Sequence, residues 1–153
     1  MIYVTLIRHA KTESFAEGGD HERALTRRGA RDALAMAGKL EKHDAPQVLL
    51  SSSAHRVQQT ADIIAAEIPR QIMPELYLAE PTAVIDALSA AAAEHSIIWV
   101  IGHNPGLSEV RDHLLGFHSA PLRTMGIVGI TVPDGAMGQG QGTLAFEYAP
   151  RLF

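Results

Sequence analysis

Arg8 and His9 stand where the apolar run "IYVTLI" stops, so a cation and an imidazole sit together at the end of a strand-like stretch. Two more places repeat the pattern. "VLLSSS" runs into His55 and Arg56, and "IIWVIG" runs into His103, followed by Asn104 and Pro105. Two guanidiniums and two imidazoles brought together would suit a phosphoryl group. Each arginine offers a planar fork of donors to phosphoryl oxygens. A neutral imidazole is available near pH 7, can attack phosphorus, and forms a phosphorus–nitrogen bond that stays labile. A second imidazole can hydrogen-bond the equatorial oxygens as charge builds up. Taken singly, each residue also fits a plain role: a solvated strand end, a helix-entry residue, or a surface cation in a first helical turn, where the helix dipole disfavours it.

The elements that would bring them together are legible as alternating periods. Residues 2–8, 47–51 and 97–102 read as strands buried on both faces, with a shorter strand at 70–73. Helical stripes fall at 27–42 (Ala30, Ala33, Leu34, Ala37, Leu40), 54–67 (Val57, Ala61, Ile64) and 82–94 (Val84, Leu88, Ala91). Thr26 is placed to cap the first of these, with Gly29 in its first turn. A further helix is expected from Pro105 to Gly116, with Asn104 as N-cap and Pro105 at the first helical position. Two strand-like runs follow, "GIVGITVP" and "GTLAFEYAP", joined by "DGAMGQGQG". That glycine-rich piece reads as a flexible hairpin loop and not a phosphate cradle, because no helix follows it. The order predicts an α/β fold: a three-layer α/β/α sandwich around a mainly parallel central sheet. In such a sheet the carboxyl ends share one edge, and ligands bind in the crevice outside them. Arg8, His9, Arg56 and His103 are expected to meet there.

The whole chain narrows the classes. Its 153 residues, 46% hydrophobic and 20% charged, suit one globular domain spanning 1–153. With 13 Lys+Arg against 17 Asp+Glu and a net charge of −4, no global attraction to nucleic acid or anionic membrane is expected, so an anion site must be local. The absence of cysteine excludes disulfides, thiolate nucleophiles and zinc–thiolate sites. "MIYVTLIRH" shows no basic leader with a long apolar run, and no stretch is long enough to span a bilayer, so a cytoplasmic protein is expected.

At these residues the chain resembles the histidine phosphatase (phosphoglycerate mutase-like) superfamily, and within it the short SixA-type phosphohistidine phosphatases. The resemblance rests on "LIRHAKTE" (6–13), "ALTRRGARDA" (24–33), "LLSSSAHRVQQTA" (49–61), "LYLA" (76–79) and "VIGHNPGLSEV" (100–110), in family order. It implies that His9 is the phosphorylated nucleophile and that Arg8, Arg56 and His103 line the phosphate pocket, with Thr12 and Asn104 in support. It also implies a phosphorylated substrate and chemistry without metal or other cofactor. Many members of the superfamily read Arg-His-Gly where this chain has Ala10, a replacement found in the shorter SixA-type members. The family reading points to hydrolysis of phosphohistidine in proteins; the alternatives are a small-molecule phosphomonoesterase or a non-catalytic phosphate-binding module.

Mutases and phosphomonoesterases of this superfamily carry a carboxylate that protonates a departing alkoxide. Here "PELYLAEP" (74–81) offers Glu75 and Glu80 as candidate general acids, though both also fit solvated residues beside a strand end. His21, His43, His55, His95, His113 and His118 are assigned no role. The cationic stretch 21–31, with Arg23, Arg27, Arg28 and Arg31, reads as a solvated helix start more readily than as a basic rim for substrate. Trp99 is expected in the core.

Overall fold

The computed structural model describes residues 1–135 and 137–151. The chain order is β1 (Ile2–Arg8), α1 (Arg27–Leu40), β2 (Val48–Ser51), α2 (His55–Ile64), β3 (Arg70–Ile72), α3 (Pro81–Ala92), β4 (Ile97–Gly102), α4 (Gly106–Leu115), β5 (Ile127–Val132) and β6 (Thr143–Tyr148). The strands form a six-stranded sheet in the order β3-β2-β4-β1-β5-β6. The β3-β2, β2-β4 and β4-β1 pairs are parallel, while β1-β5 and β5-β6 are antiparallel. The architecture is the α/β sandwich expected, with its parallel part at the centre.

Alternation along the strands divides the core in two. Val4, Leu6, Ile98, Val100, Val128 and Ile130 face α3 and α4, meeting Val84, Leu88, Leu107, Val110 and Leu114. Ile7, Leu49, Trp99, Ile101 and Ile127 face α1 and α2, meeting Ala33, Met36, Leu40, Val57 and Ala61. The expected helical stripes hold for α2 and α3. In α1 the buried residues are Gly29, Ala33, Met36 and Leu40, whereas Leu34 is 68% exposed. Leu34 lies about 100° round the helix from Ala33, enough to carry it off the seam.

Several boundaries move by one to three residues. Helix α4 starts at Gly106, with Pro105 as its N-cap instead of Asn104. The Asn104 side chain still serves this end, because its Oδ1 accepts from the Ser108 backbone N–H at 3.2 Å and from Ser108 Oγ at 2.7 Å. The loop between β5 and β6 hydrogen-bonds to the end of α4, Gly140 N to His113 O at 2.9 Å and Gly142 N to Leu114 O at 2.7 Å. Ala136, within that loop, lies outside the described residues.

Two features place the crevice. Register pairs Arg8 with Gly102 and Ile7 and Ser51 with Ile101, so the ends of β1, β2 and β4 stop at the same level. After β1 the chain passes to α1 on one face, and after the neighbouring β4 it passes to α4 on the other. Connections leaving adjacent parallel strands for opposite faces open a gap at their carboxyl ends.

Candidate active site

The gap is a cavity of about 370 Å³ lined by Arg8, His9, Lys11, Thr12, Asp20, Arg23, Arg56, Leu78, His103, Asn104 and Thr124. Six of these residues were expected from the sequence: Arg8, His9, Thr12, Arg56, His103 and Asn104. Asp20, Arg23 and Lys11 were not. Glu75 and Glu80 are both exposed and outside the lining; Glu80 is the N-cap of α3. Gly106 explains how that segment packs, since a Cβ there would lie 2.3 Å from the Ala79 carbonyl oxygen.

His9 follows β1 directly, its backbone N–H reaching Gly102 O at 3.2 Å, which locks it to the end of β4. Its Nδ1 lies 2.8 Å from Ala10 O. A carbonyl can only accept, so Nδ1 carries the proton and Nε2 keeps its lone pair. Burial pushes the imidazole down to about 4, opposed by the Ala10 hydrogen bond and reinforced by the charges of Arg56, Arg8 and Arg23. His9 is therefore neutral at pH 7. Its Nε2 points at Arg56, whose Nε–H donates to it at 3.3 Å.

His103 follows β4 directly, with its ring 5.3 Å from that of His9 and tilted by 58°. Arg56 Nη2 approaches its Nδ1 at 3.4 Å, and Ser52 Oγ lies 2.7 Å from its Nε2. Because the guanidinium can only donate, Nδ1 is the acceptor and Nε2–H donates to Ser52. Ser52 Oγ also accepts from the Ala54 backbone N–H at 3.3 Å. Burial, followed by the charges of His9 and Arg56, pushes His103 down to about 3.

Arg56, in the first turn of α2, is 1% exposed, far from the surface cation that its helical position alone would suggest. Its fork is held by Asp20: Nη1 donates to the Asp20 carbonyl at 2.8 Å and Nη2 to Asp20 Oδ2 at 3.1 Å. Asp20 Oδ2 also accepts from the Tyr77 hydroxyl, and Oδ1 from Arg23 Nε at 3.0 Å. The Tyr77 hydrogen bond first, then those from Arg56 and Arg23, hold the Asp20 carboxyl well below the usual carboxylate range despite some desolvation. Tyr77, whose own proton is held more tightly through Asp20, sets its ring edge-on to His103 at 5.5 Å and to His21 at 4.8 Å. His21 Nε2 lies 2.9 Å from Ser53 Oγ, so this histidine, assigned no role from sequence, braces the wall behind Tyr77.

Arg8 donates from Nη1 to Leu122 O at 3.0 Å, while its buried Nε has no hydrogen-bond partner among the described residues. Asn104 Nδ2 donates to the same carbonyl at 2.7 Å. Arg23 corrects the reading of 21–31 as a merely solvated start. Its Nη1 donates to Thr12 Oγ1 at 2.7 Å and to Glu13 O at 2.9 Å, placing a third guanidinium on the rim. No pattern in the sequence pairs Asp20 with Arg56, because the 36 positions that separate them are spanned only by the fold.

The start of helix α1 packs behind the Lys11 segment that lines the cavity. Thr26 Oγ1 accepts from Gly29 N at 2.9 Å, as expected of its cap, and Thr26 N donates to Lys11 O at 3.0 Å. Gly29 is needed for this approach: a Cβ there would lie 2.1 Å from Lys11 O. Of the remaining histidines, His113 Nε2 lies 3.2 Å from Met137 O and His118 Nδ1 lies 2.9 Å from Asp112 Oδ2. His43 stacks on Phe146 at 3.8 Å, far along the sheet from the cavity.

Among solved structures the chain is similar to a protein histidine phosphatase SixA complexed with tungstate, at 24% identity and a TM-score of 0.86, covering 97% of each chain. It is also similar to a phosphoserine phosphatase from Entamoeba histolytica, at 16% identity and a TM-score of 0.66, covering 99% of this chain and 98% of that one. At these identities the likeness is one of fold. Uncharacterized protein ML1117 of Mycobacterium leprae is 32% identical over 117 residues, 72% of this chain and 71% of that protein. The model of the histidine phosphatase superfamily, branch 1, matches residues 4–81, which carry β1 with Arg8 and His9, the Asp20 turn and α2 with Arg56. The neutral imidazole among guanidiniums thus lies largely within the matched stretch, and the chain is a phosphatase belonging to the histidine phosphatase superfamily, branch 1.

Proposed function

We propose that the protein hydrolyses phosphohistidine in proteins, without a metal, through a phosphoryl group carried on His9. The observation that supports it is the state of His9: neutral, its Nδ1 proton committed to Ala10 O, its Nε2 lone pair turned into a cavity of cations. Nε2 attacks phosphorus and the bond from phosphorus to the substrate imidazole breaks. The other nitrogen of the substrate ring already carries a proton, so the electron pair becomes the lone pair of a neutral imidazole as it leaves. A water molecule then attacks phosphorus on His9, loses a proton, and inorganic phosphate leaves with Nε2 regaining its lone pair.

Arg8 and Arg56 supply the charge that stabilises the transferring phosphoryl group. A dianion beside His103 raises its affinity for a proton, so Nδ1 takes one up and becomes a donor to the phosphoryl oxygens. Thr12 positions the Arg23 guanidinium, and Asn104 shares Leu122 O with Arg8 and so fixes that loop.

The choice of phosphoramidate over alkyl ester rests on leaving groups. An imidazole is basic only to pH ~6.5, whereas an alkoxide resembles water, with a pKa of ~16. The carboxylate that lines the cavity is Asp20, held ionised by three donors and unable to give a proton at neutral pH. A good leaving group needs no such acid. Turnover of a phosphohistidine protein and of small phosphate esters is to be compared with chelator present. Phosphorus NMR, taken without acid, should show an N-phosphoryl enzyme that is lost in His9→Ala. Wild-type turnover by His9→Ala, or faster cleavage of alkyl phosphates, refutes the proposal.

A further inference from the structure

The catalytic cavity does not end at its rim. Arg8, Lys11 and Thr124 also line a second depression of about 330 Å³, together with Arg28, Asp32, Arg123, Pro150 and Arg151. Arg28, Asp32, Pro150 and Arg151 are shared in turn with a third, of about 710 Å³, which runs between α1 and the end of β6. Three depressions joined by shared walls make one trough leading out of the pocket.

Its charge runs against that of the chain. The protein carries a net −4, yet Lys11, Arg28, Arg31, Lys39, Arg123 and Arg151 line the outer trough, against Asp32 and Glu147. Asp32 is engaged by Arg28 Nε at 3.8 Å, whereas Lys11, Arg31, Lys39 and Arg123 have no carboxylate within ion-pair distance among the described residues. These four side chains are exposed, so the trough is open along its length. Positions 28, 31, 32, 35 and 39 recur at helical spacing and set the cations on one stripe of α1. Arg28 and Lys39 are separated by about 16 Å along the axis, at 1.5 Å per residue. Ala35, Met36, Tyr148 and Pro150 give the floor apolar surface between the charges.

We propose that this trough docks an acidic stretch of the polypeptide that carries the phosphorylated residue, so that substrate choice is made along α1 outside the pocket. The inference rests on the phosphohistidine reading above. A length of about 16 Å matches roughly five residues of extended chain, more than a small phosphate compound spans. An open, exposed channel suits a segment lying on the surface, whereas small-molecule sites enclose most of their ligand. Carboxylates complement the cations, and the stems of acidic side chains can lie on the apolar floor.

The test uses the full chain and fluorescein-labelled peptides bearing a non-hydrolysable phosphotriazole analogue of phosphohistidine. Their flanks are either Glu/Asp or Gln, placed before or after the analogue. Fluorescence anisotropy should show one acidic-flanked peptide binding at least about tenfold more tightly than its Gln counterpart. The preference should shrink in R31Q/K39Q and vanish in R31E/K39E, both exposed changes outside the catalytic cavity. Equal binding of the two flanks, a preference that persists in R31E/K39E, or tighter binding of a labelled single-stranded RNA overturns the proposal. Hydrolysis of free phosphohistidine, measured in parallel, should be equal in wild type and R31E/K39E. Its absence in both, with no turnover of a phosphohistidine protein by wild type, refutes the phosphohistidine reading, and the flank comparison still decides the docking.

Discussion

Arg56 and Asp20 meet through two contacts, backbone and side chain, although one is buried in α2 and the other sits in a surface turn: Nη1 on the Asp20 carbonyl at 2.8 Å and Nη2 on Oδ2 at 3.1 Å. The guanidinium is thereby held between His9 and His103, with Nε–H directed at one imidazole and Nη2 at the other. A turn that carries no catalytic signature sets the orientation of the phosphate-binding fork.

Asp20→Asn should therefore lower stability by about 1–2 kcal/mol, between the values for exposed and buried pairs, because the Asp20 side chain is 45% exposed while that of Arg56 is 2% exposed. Urea melts at pH 7 measure it. The carboxyl is held below its ordinary value, so its stabilisation is full above about pH 4. It is lost as pH falls through the depressed value. The Asn variant should show a shallower decline of stability below pH ~4 than wild type.

Stability should also fall over a higher range. His9 and His103 sit at about 4 and about 3 in the folded protein against an ordinary 6.5. Between those values the unfolded chain binds more protons, so stability drops as pH falls below ~6.5. Above that, neither histidine makes stability depend on pH. Urea midpoints should decline from pH 7 to pH 5, and His103→Asn should remove about half of the slope.

The acid limb of kcat/KM reports the same groups in the free enzyme. Loss of activity should centre near the about 4 of His9, well below an ordinary histidine. A limb at pH ~6.5 would contradict the buried, neutral nucleophile.

Phosphate binding should take up protons. His103 is neutral with its Nδ1 an acceptor, and an oxyanion favours the protonated ring. Calorimetry at pH 6.5 in buffers of different ionisation enthalpy should find net uptake, lost in His103→Gln. Ser52→Ala removes the acceptor of Nε2–H at 2.7 Å and should cut turnover by about tenfold through loss of the tautomer.

Gly29→Ala puts a Cβ 2.1 Å from Lys11 O, and either helix α1 or the Lys11 segment must move. A loss of about 2–4 kcal/mol is expected in urea melts, in the range of overpacked sites. A weaker phosphate affinity should accompany it, because Lys11 lines the cavity.

Much of this site is legible in the amino-acid sequence. Strand ends at Arg8 and Gly102 announced themselves because a parallel strand buried on both faces is apolar throughout, so its break is abrupt. The caps of α1 and α4 depend on short-range chemistry, and Thr26 and Asn104 both act there, though α4 begins one residue later than expected. The α1 seam departs from the expected stripe at Leu34, because alanines and a leucine carry little contrast, and it takes in Gly29 and Met36 instead.

Local order and apolar period thus determined the elements, their sequence along the chain, and which strand ends bear Arg8, His9 and His103. Tertiary structure alone decided what surrounds them. Asp20, Tyr77, Arg23 and His21 belong to loops whose residues have no periodicity and meet the strand ends only after the sheet has closed. The protonation of both histidines was settled there as well, since burial and the placing of a guanidinium, an alcohol and a carbonyl are properties of the packed site and not of any one residue.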